Sequence, residues 1–379
     1  MSRFDPLSLI PHYQPTGSDV PLEEYAAQLE RCQGCRHRLR SRCRLANQPA
    51  QLIARKRNRS CPLDRVAAKT PTTMDPRTFP TAEPREVQRL AAVCCHYNPC
   101  GYDRLEENYH RFRSALPPDL DLWTVELAYD EQPWRLPGGD RTIRLRGTRD
   151  RHVLWQKERM LNVAFEVIPK EYDAVCWLDR DVIFGNSDWV LETKSALAQY
   201  SVCQLYERWL FLDEAGRIGR IRPGHVYAKA SGLGYGVPGG AWAARREVIA
   251  GGIYDRHIVG GGDSVLAWSF DRGRYRQSRP LSPKWQMYCD EKVRDQHALT
   301  QGSMTYIGGD AMHLYHGEHI NRQYNERYEF VKAGHYDPAV DVEVDPQTGL
   351  LQWTAEARSQ KPRLVEAVAA YFALRQEDG

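Results

Sequence analysis

The sequence predicts an α/β protein whose main domain is a doubly wound mixed sheet, preceded by a small cysteine-rich module. From Val87 onward, short apolar runs of strand length alternate with amphipathic helical patterns, as in sheets covered by helices on both faces. One apolar run, 174–178, ends abruptly at Asp179 and Asp181, and ligands of α/β sheets bind beyond the carboxyl ends of such strands. Four cysteines within 32–61 predict a separate module ahead of the sheet.

The composition is typical of a globular protein. The chain has 379 residues, 42% of them hydrophobic and 27% charged, which is enough for one large core with appendages. No apolar run approaches the ~18 residues of a membrane-spanning helix. The amino terminus also lacks the pattern of a secretory signal, so we expect a cytoplasmic protein that does not engage a membrane.

Residues 1–65 are predicted to form a basic module that a metal stabilises. The spacing is Cys32-x2-Cys35-x7-Cys43-x17-Cys61, and the first pair has the spacing of a zinc knuckle. The segment is too short and too polar to fold on its own core, so a structural Zn²⁺ on the four cysteines would supply the missing free energy. A disulfide pair and an iron–sulfur cluster are the alternatives; the absence of a secretion signal disfavours the disulfide.

Positive charge is concentrated in the same module. Residues 31–65 carry eleven Lys/Arg against one acid, which makes the segment +10 in a chain whose net charge is only +3. A second basic stretch, 135–151, has six arginines against Asp140 and Asp150. Such blocks suggest contact with nucleic acid or another polyanion, and the alternative is a solvated basic face.

A Pro- and Thr-rich linker is predicted at 66–86, followed by the main domain over 87–335 and a carboxyl-terminal extension over 336–379. The clearest helix pattern covers Trp155–Ile168, where apolar residues fall on one stripe. The predicted strands are Leu90–Cys95, Leu122–Leu127, Ala174–Leu178 and Ser201–Leu205. Three further helices are predicted at Leu105–Leu116, Trp189–Tyr200 and Lys361–Gln376.

The acids after the third predicted strand suggest a metal site. Because consecutive strand residues face opposite sides, Asp179 and Asp181 would share a side and could converge on one cation. Hard oxygen ligands suit Mg²⁺ or Mn²⁺, which often carry substrate phosphates. The pair His313 and His316 could complete such a site with a neutral imidazole, or the two could be structural groups held by hydrogen bonds.

Two further positions are candidates for binding a cofactor. Lys157 continues the buried stripe of its helix and lies in the first turn, where an ammonium group can reach a diphosphate in the crevice. The alternative is a lysine whose amine extends to water. Asn98, in the turn-forming cluster 96–101 after the first strand, is included in the same set.

Glycines mark two more segments. Five glycines within 232–240 permit positive φ angles and close approach to a ligand, and a helix is expected to begin directly afterwards. Gly240 and Trp242 are cofactor-binding candidates here, although a flexible loop would have the same composition, and no Gly-Lys-Ser/Thr follows that would indicate a P-loop. Three glycines precede Asp263, which could cap the helix Ser264–Phe270 or act as a general base.

In their order these segments resemble GT-A glycosyltransferases, a Rossmann-like fold, and in particular β-1,4-galactosyltransferase-type enzymes and the related family 2 and 27 transferases. The resemblance covers residues 87–328 and is found in five segments. WQKERMLNVAF resembles that family's FNRAKLLNVGF helix, WLDRDVIF its DVD strand, GGAWAARREVI its Gly-Gly-Val-Ser-Ala segment, IVGGGDSV its WGGEDDD segment, and HLYHGEHINRQ its M-x-x-H end.

The resemblance implies metal-dependent, inverting transfer of a sugar from a nucleoside-diphosphate sugar, UDP-linked, with Mn²⁺ or Mg²⁺ as cofactor. It places Lys157 where the family has a diphosphate-binding arginine and Asp263 at the catalytic base. It makes Asp181 a metal ligand with Asp179 nearby, and it matches His316 to the histidine ligand. The resemblance also places His313 where the family has the methionine of its metal-binding M-x-x-H end.

The acceptor does not transfer from the resemblance, because Gly262 and Ser264 replace acids flanking the base and Val259 replaces a tryptophan. The basic segments suggest a hydroxymethylated base in DNA. A glycan or small-molecule acceptor is the alternative within the same activity. A catalytically inactive GT-A-like protein that binds nucleic acid is the competing hypothesis from another class.

Overall fold

The computed structural model describes residues 78–275 and 281–379. It also describes the backbone of three two-residue strands, Arg38–Leu39, Arg42–Cys43 and Gln48–Pro49, which form a small antiparallel sheet in that order. The predicted zinc ligands Cys32, Cys35 and Cys61 lie outside the described residues, and of Cys43 only the backbone is described. The zinc module therefore stays a prediction.

The main unit has a mixed α/β fold, as predicted. Its strands are β1 (Leu90–Tyr97), β2 (Asp121–Tyr129), β3 (Thr142–Gly147), β4 (Ala174–Leu178), β5 (Val182–Phe184), β6 (Val202–Gln204), β7 (Arg208–Leu212), β8 (Ile218–Pro223), β9 (Ala241–Arg245), β10 (Met304–Tyr306), β11 (Asp310–His313), β12 (Val342–Val344) and β13 (Leu351–Trp353). Its helices are α1 (Asp103–Ala115), α2 (Arg149–His152), α3 (Lys157–Val167), α4 (Trp189–Leu197), α5 (His225–Ala230), α6 (Arg246–Ile249), α7 (Gly262–Arg272), α8 (Pro283–Thr300), α9 (Glu326–Ala333), α10 (Ala355–Gln360) and α11 (Pro362–Leu374), with a 3₁₀ turn at His319–Arg322.

A seven-stranded sheet in the order β10-β6-β9-β4-β1-β2-β3 forms the centre of this unit. All of its strands run parallel except β9, which is antiparallel to both β4 and β6. Along β1 every residue is buried, because Ala91, Val93 and Cys95 join one hydrophobic core and the residues between them join the other. Burial on both faces explains why the central strands are continuous apolar runs.

A second sheet, in the order β8-β7-β11-β5, positions the residues that follow β4. The chain leaves β4, turns through Asp181 and enters β5, which pairs antiparallel with β11. In that register His313 is opposite Val182, and Leu314 N donates to Asp181 O at 2.8 Å. Residues more than 130 positions apart in the chain are thereby brought to one edge.

One local expectation was wrong, and one strand was not predicted. The predicted helix start at Ala241 is instead the strand β9, because every residue of Ala241–Arg245 is buried between two neighbouring strands and this pairing outweighs the helix preference of alanine. The polar stretch 135–151 contains an unpredicted strand, β3, which is the edge of the sheet and alternates Ile143 and Leu145 with exposed arginines.

Both chain segments flanking the predicted domain contact it. Within the predicted linker, Ala82 N donates to Gln199 O at 2.8 Å and Arg85 N to Ala198 O at 3.0 Å. In the carboxyl-terminal segment, Leu364, Val368 and other α11 residues belong to the same hydrophobic core as β1. Among the described helices, none combines the length and apolarity needed to cross a bilayer.

Candidate active site

A cleft of about 410 Å³ opens where β1 and β4 end. Most of the residues predicted for the site line it, from five separate parts of the chain. They are Lys157, Asp179, Asp181, Gly240, Asp263, His313 and His316. The position is the one expected of an open α/β sheet, beyond the carboxyl ends of its strands.

Asp181, His313 and His316 form a buried cluster of possible metal ligands. One ligand atom from each lies within 4.8 Å of the other two. Asp181 Oδ2 is 3.0 Å from His316 Nε2 and 3.9 Å from His313 Nε2, and the two imidazole nitrogens are 3.3 Å apart. Three possible ligand atoms, one from each side chain, thus converge on one point.

The chemistry of this cluster fits a divalent cation. Burial opposes ionisation of Asp181, but His313, His316 and Arg180 hold the pKa of its carboxyl well below the usual range. Its Oδ1 is buried and, among the described residues, has no hydrogen-bond partner. Burial lowers the pKa of His313 well below its ordinary value, although Asp181 opposes this, and a neutral imidazole is the form that coordinates a cation. One carboxylate and two imidazoles suit Mn²⁺ and related ions.

Glu377 orients one of the two imidazoles. Its Oε1 lies 3.0 Å from His316 Nδ1 and 2.5 Å from Arg375 Nη2. Burial raises the pKa of Glu377, but Arg375 and His316 outweigh this and hold it below its usual value, so the group is a carboxylate that can only accept. His316 must therefore donate from Nδ1, which leaves Nε2, 3.0 Å from Asp181 Oδ2, as the ring nitrogen that can accept. Arg322 Nη2 donates to this Nε2 at 2.9 Å.

Asp179 interacts with Lys157 and not with the histidines. Its Oδ1 is 2.6 Å from Lys157 Nζ. The expected sharing of one strand face does not apply, because β4 ends at Leu178 and a turn carries the chain to β5. Burial alone would lower the pKa of Lys157, but Asp179, Asp263 and Glu158 raise it above the ordinary value, so the ammonium is charged.

Asp263 is the second residue of α7, and the residue that caps this helix is Gly261, whose φ is 102°. Asp263 Oδ1 accepts a hydrogen bond from Ser264 N at 2.8 Å. The Cβ of any residue replacing Gly239 would overlap its Oδ2, and one at Gly240, where φ is 96°, would overlap the ring of Trp209. Gly239 therefore lets the chain approach Asp263 closely, and Gly240 lets it approach Trp209.

Two predicted cofactor-binding residues, Trp242 and Asn98, make hydrogen bonds within the protein. Trp242 is 1% exposed on β9, where its Nε1 donates to Pro238 O at 2.8 Å and its ring packs against Phe270 in the core. The side chain of Asn98 closes a turn, since it accepts from Tyr102 N at 3.0 Å and donates to Tyr102 O at 2.7 Å. Neither lies among the residues that line the cleft.

Most of the cationic lining was not found from the sequence. The cleft is lined by six Lys/Arg against four acids, an excess of +2 with the histidines neutral. These residues are Lys157, Arg180, Arg222, Arg322, Arg327 and Arg375, and Asp179, Asp181, Asp263 and Glu377. Arginines are frequent throughout this chain, so no local signal distinguishes those that the fold directs into the cleft. The excess of positive charge suits an anionic ligand.

An aromatic group lies at the β1 side of the cleft. Tyr97 and Trp155 meet edge to face at 5.9 Å, and Trp155 is stacked with Phe372 at 6.5 Å between ring centroids. The Arg375 guanidinium lies 5.2 Å from the centre of the Trp155 ring. Flat rings beside a cation are suited to stacking on a planar ligand group.

The basic stretch 135–151 is largely neutralised by ion pairs within the protein. Arg141 binds Asp121 at 2.6 Å, and the other pairs join arginines of this stretch to acids of α1, β2 and the turn after β2. They are Arg135 with Asp103 and Glu106, Arg144 with Glu126, and Arg149 with Asp130. Its contact with nucleic acid stays a prediction, and less free charge is available for it than the composition suggests.

No protein-family model matches the chain, and no curated protein sequence matches it. Solved structures that the chain is similar to include the catalytic domain of Drosophila β1,4-galactosyltransferase 7 with xylobiose, at 11% identity and a TM-score of 0.34, over 73% of this chain and 99% of that one. Another is glucosyl-3-phosphoglycerate synthase from Mycobacterium tuberculosis with Mg²⁺ and uridine diphosphate, at 12% identity and a TM-score of 0.30, over 70% and 86% of the two chains. Similarities of this degree do not define an activity.

Proposed function

We propose that the protein is a metal-dependent, inverting glycosyltransferase that moves a sugar from a UDP-linked donor to an acceptor hydroxyl. The observation that supports this most is the convergence of Asp181, His313 and His316 in a cleft that also contains Lys157 and the carboxylate Asp263. Sugar transfer from a nucleoside diphosphate needs cations at the leaving group and a base at the acceptor.

The cationic side chains would receive the donor diphosphate. Lys157 lies in the first turn of α3, where the helix dipole also favours an anion. A Mn²⁺ or Mg²⁺ ion held by Asp181, His313 and His316 would supply Lewis-acid stabilisation of the charge that develops on the departing diphosphate.

The aromatic group formed by Tyr97, Trp155 and Phe372 would stack the donor's base. It lies at the end of β1, on a wall of the same cleft, so one ligand could contact both these rings and the cations. This assignment accounts for the mixture of flat apolar rings and arginines in one cavity.

Asp263 would accept the proton of the acceptor hydroxyl as that oxygen attacks the anomeric carbon. Attack on the face opposite to the departing diphosphate inverts the configuration. A carboxylate can serve as the base because the hydroxyl loses its proton late, as the new bond forms. A Cβ at position 239 would overlap Asp263 Oδ2, so Gly239 leaves this carboxylate oxygen uncovered.

Donor turnover with and without metal tests this proposal. The full chain is incubated with a panel of UDP-sugars, and UDP release is measured with Mn²⁺, with Mg²⁺ and with EDTA. We expect turnover to require the metal. It should fall at least about a hundredfold in Asp181→Asn, because the negatively charged ligand of the metal is lost. Asp188→Asn, at an exposed position outside the cleft, is the matched control. Turnover of a donor in EDTA, or full activity of Asp181→Asn, would show the proposal to be wrong.

A further inference from the structure

Two arginines of β8 face the cleft. In the antiparallel pair of β7 and β8, Arg220 is opposite Phe211 and Arg222 is opposite Trp209. Residues directly opposite each other in such a pair point to the same face. Phe211, Trp209 and Arg222 line the cleft, and the Arg220 guanidinium lies 6.0 Å from the centre of the Phe211 ring. This face of the ribbon is therefore a wall of the cleft.

The charges on this wall are not neutralised. Within 78–275 and 281–379, neither Arg220 nor Arg222 forms an ion pair with an acid, whereas Arg217 on the same hairpin is bound to Asp213 at 2.8 Å. Burial lowers the pKa of Arg222, and Arg220 lowers it further, but a guanidinium stays charged at neutral pH.

The cationic wall continues to the candidate metal ligands Asp181, His313 and His316. His319 packs between Phe211 and Tyr324, at centroid distances of 5.5 and 4.9 Å. Arg322 follows in the same 3₁₀ turn and reaches His316 with Nη2. Its Nε is buried and has no hydrogen-bond partner among the described residues. A buried donor without a partner costs free energy that an anionic ligand could recover.

The wall also leads to the candidate base. Val237 N donates to Pro223 O at 2.8 Å, which joins the end of β8 to the glycine-rich segment. That segment continues through Pro238 to Gly239, which packs against Asp263. Val237, Pro238 and Gly239 all line the cleft, so Arg222 and Asp263 lie on one continuous surface. An acceptor placed on this surface would present its hydroxyl to the base and other groups to the arginines.

We infer that Arg220 and Arg222, with Arg322, form a subsite for a phosphate group on the acceptor. Guanidinium groups bind phosphate oxygens in a bidentate manner, which gives both affinity and orientation. The phosphate is either a phosphomonoester of a small hydroxyl compound or a phosphodiester of a nucleic-acid strand. This inference rests on the proposed function, because it assigns the acceptor of that reaction.

Matched acceptor pairs test the subsite. With Mn²⁺ and the UDP-sugar that is turned over fastest, kcat/KM is measured for glycerol against glycerol 3-phosphate and for glucose against glucose 6-phosphate. Duplex DNA containing hydroxymethylated cytosine is compared with the free hydroxymethylated nucleoside. We expect the phosphate-bearing member of at least one pair to be preferred about tenfold or more, and the pair that shows it identifies the source of the phosphate.

Variants then assign the preference to residues. Arg222→Gln, and the double variant Arg220→Gln with Arg222→Gln, should reduce the ratio of kcat/KM values within the preferred pair about tenfold. Arg222→Lys should retain part of it because the charge remains. Arg217→Gln removes the same charge from the same hairpin outside the cleft and should leave the ratio unchanged.

Three results would overturn the inference. Equal use of both members of every pair would mean that no phosphate is recognised. A loss that appears in the KM of the donor, with the acceptor ratio unchanged, would assign the arginines to the donor's diphosphate. Donor hydrolysis without acceptor reports on the proposed function separately, so an enzyme that hydrolyses the donor but shows no preference refutes only the subsite. If no donor is turned over, both proposals fail.

Discussion

Glu377 Oε1 accepts a hydrogen bond from His316 Nδ1 at 3.0 Å, although the two residues are 61 positions apart in the chain. Metal-binding histidines usually donate a hydrogen bond from their second ring nitrogen to such a partner, which fixes the tautomer and the orientation of the ring. Glu377 is itself held by Arg375 at 2.5 Å, so the segment after α11 supports the candidate metal site. A segment predicted as an extension is thereby a structural part of the cleft.

Loss of Glu377 should weaken metal binding more than catalysis by the loaded protein. Glu377→Ala removes the acceptor that sets the His316 tautomer, and we expect the Kd for Mn²⁺ to rise about 10–100-fold. Glu377→Gln keeps an acceptor oxygen and should have a smaller effect. Mn²⁺ titration by calorimetry measures this, with Glu366→Gln on the exposed face of α11 as the control. An unchanged Kd in Glu377→Ala would contradict the role.

Lys157 should contribute to donor binding through its charge. Lys157→Met removes the only ammonium group among the described residues lining the cleft and leaves Asp179 without its partner at 2.6 Å. A charge-assisted contact of this kind corresponds to a loss of about ten- to a hundredfold in kcat/KM for the donor. Lys157→Arg keeps the charge and should retain much of the activity. Equal losses in both variants, with the fold intact by circular dichroism, would argue against an electrostatic role.

Asp263→Asn should abolish transfer while sparing donor affinity. The amide oxygen can still accept the hydrogen bond from Ser264 N, so α7 keeps its first turn. Removal of a general base costs typically 10²–10⁴-fold in rate. Kinetics with saturating donor and varied acceptor measure kcat, and UDP binding is measured in parallel. Should Asp263→Asn retain a wild-type kcat, the base must be another residue.

The stability of the protein should depend on pH through Glu158. This carboxyl is 4% exposed in the first turn of α3, and burial, with Asp263 adding to it and Lys157 opposing it, raises its pKa from 4.5 to about 7. Between these values the folded state holds a proton that the unfolded chain has released. Its contribution to the free energy of unfolding therefore falls as the pH rises from 4.5 to 7 and stays low above that.

Glu158→Gln removes this dependence. Relative to the wild type, the variant should gain up to about 3 kcal/mol in the free energy of unfolding at pH 8 and little at pH 4.5, provided that the amide fits the same space. Urea denaturation of both proteins at the two pH values measures the difference. For Glu329→Gln, at an exposed position on α9, the difference in the free energy of unfolding from the wild type should be the same at both pH values. A wild-type-like value for Glu158→Gln at pH 8 would mean that the pKa of this carboxyl is not raised in the folded protein.

Several parts of the site were predictable because they depend on local patterns. The run before Asp179 is apolar at every position, which indicates a strand buried on both faces. Lys157 and Met160 fall on one stripe, and the helix Lys157–Val167 begins within two residues of the predicted start. Three glycines followed by Asp263 indicated a close approach at a helix start, and the helix begins at Gly262. In each case neighbouring residues alone carry the information.

Other parts depend on which segments meet. The run Ala241–Arg245 has the composition of a helix but is a strand, because it lies between β4 and β6 in the centre of the sheet. Trp242 follows a glycine-rich loop but is buried within the sheet, where its ring packs against Phe270. Such outcomes follow from pairing across the sheet, which a single segment does not encode.

The sequence by itself determined the class of the fold and the kinds of side chain available for chemistry, because hydrophobic periodicity and glycine placement act over a few residues. Only the tertiary structure decided that Asp181 joins the histidines while Asp179 pairs with Lys157, because a turn after Leu178 directs the two carboxylates to different neighbours. The same holds for Glu377 and for the cleft arginines, whose partners lie far away in the chain and come together only through packing of the sheets and α11.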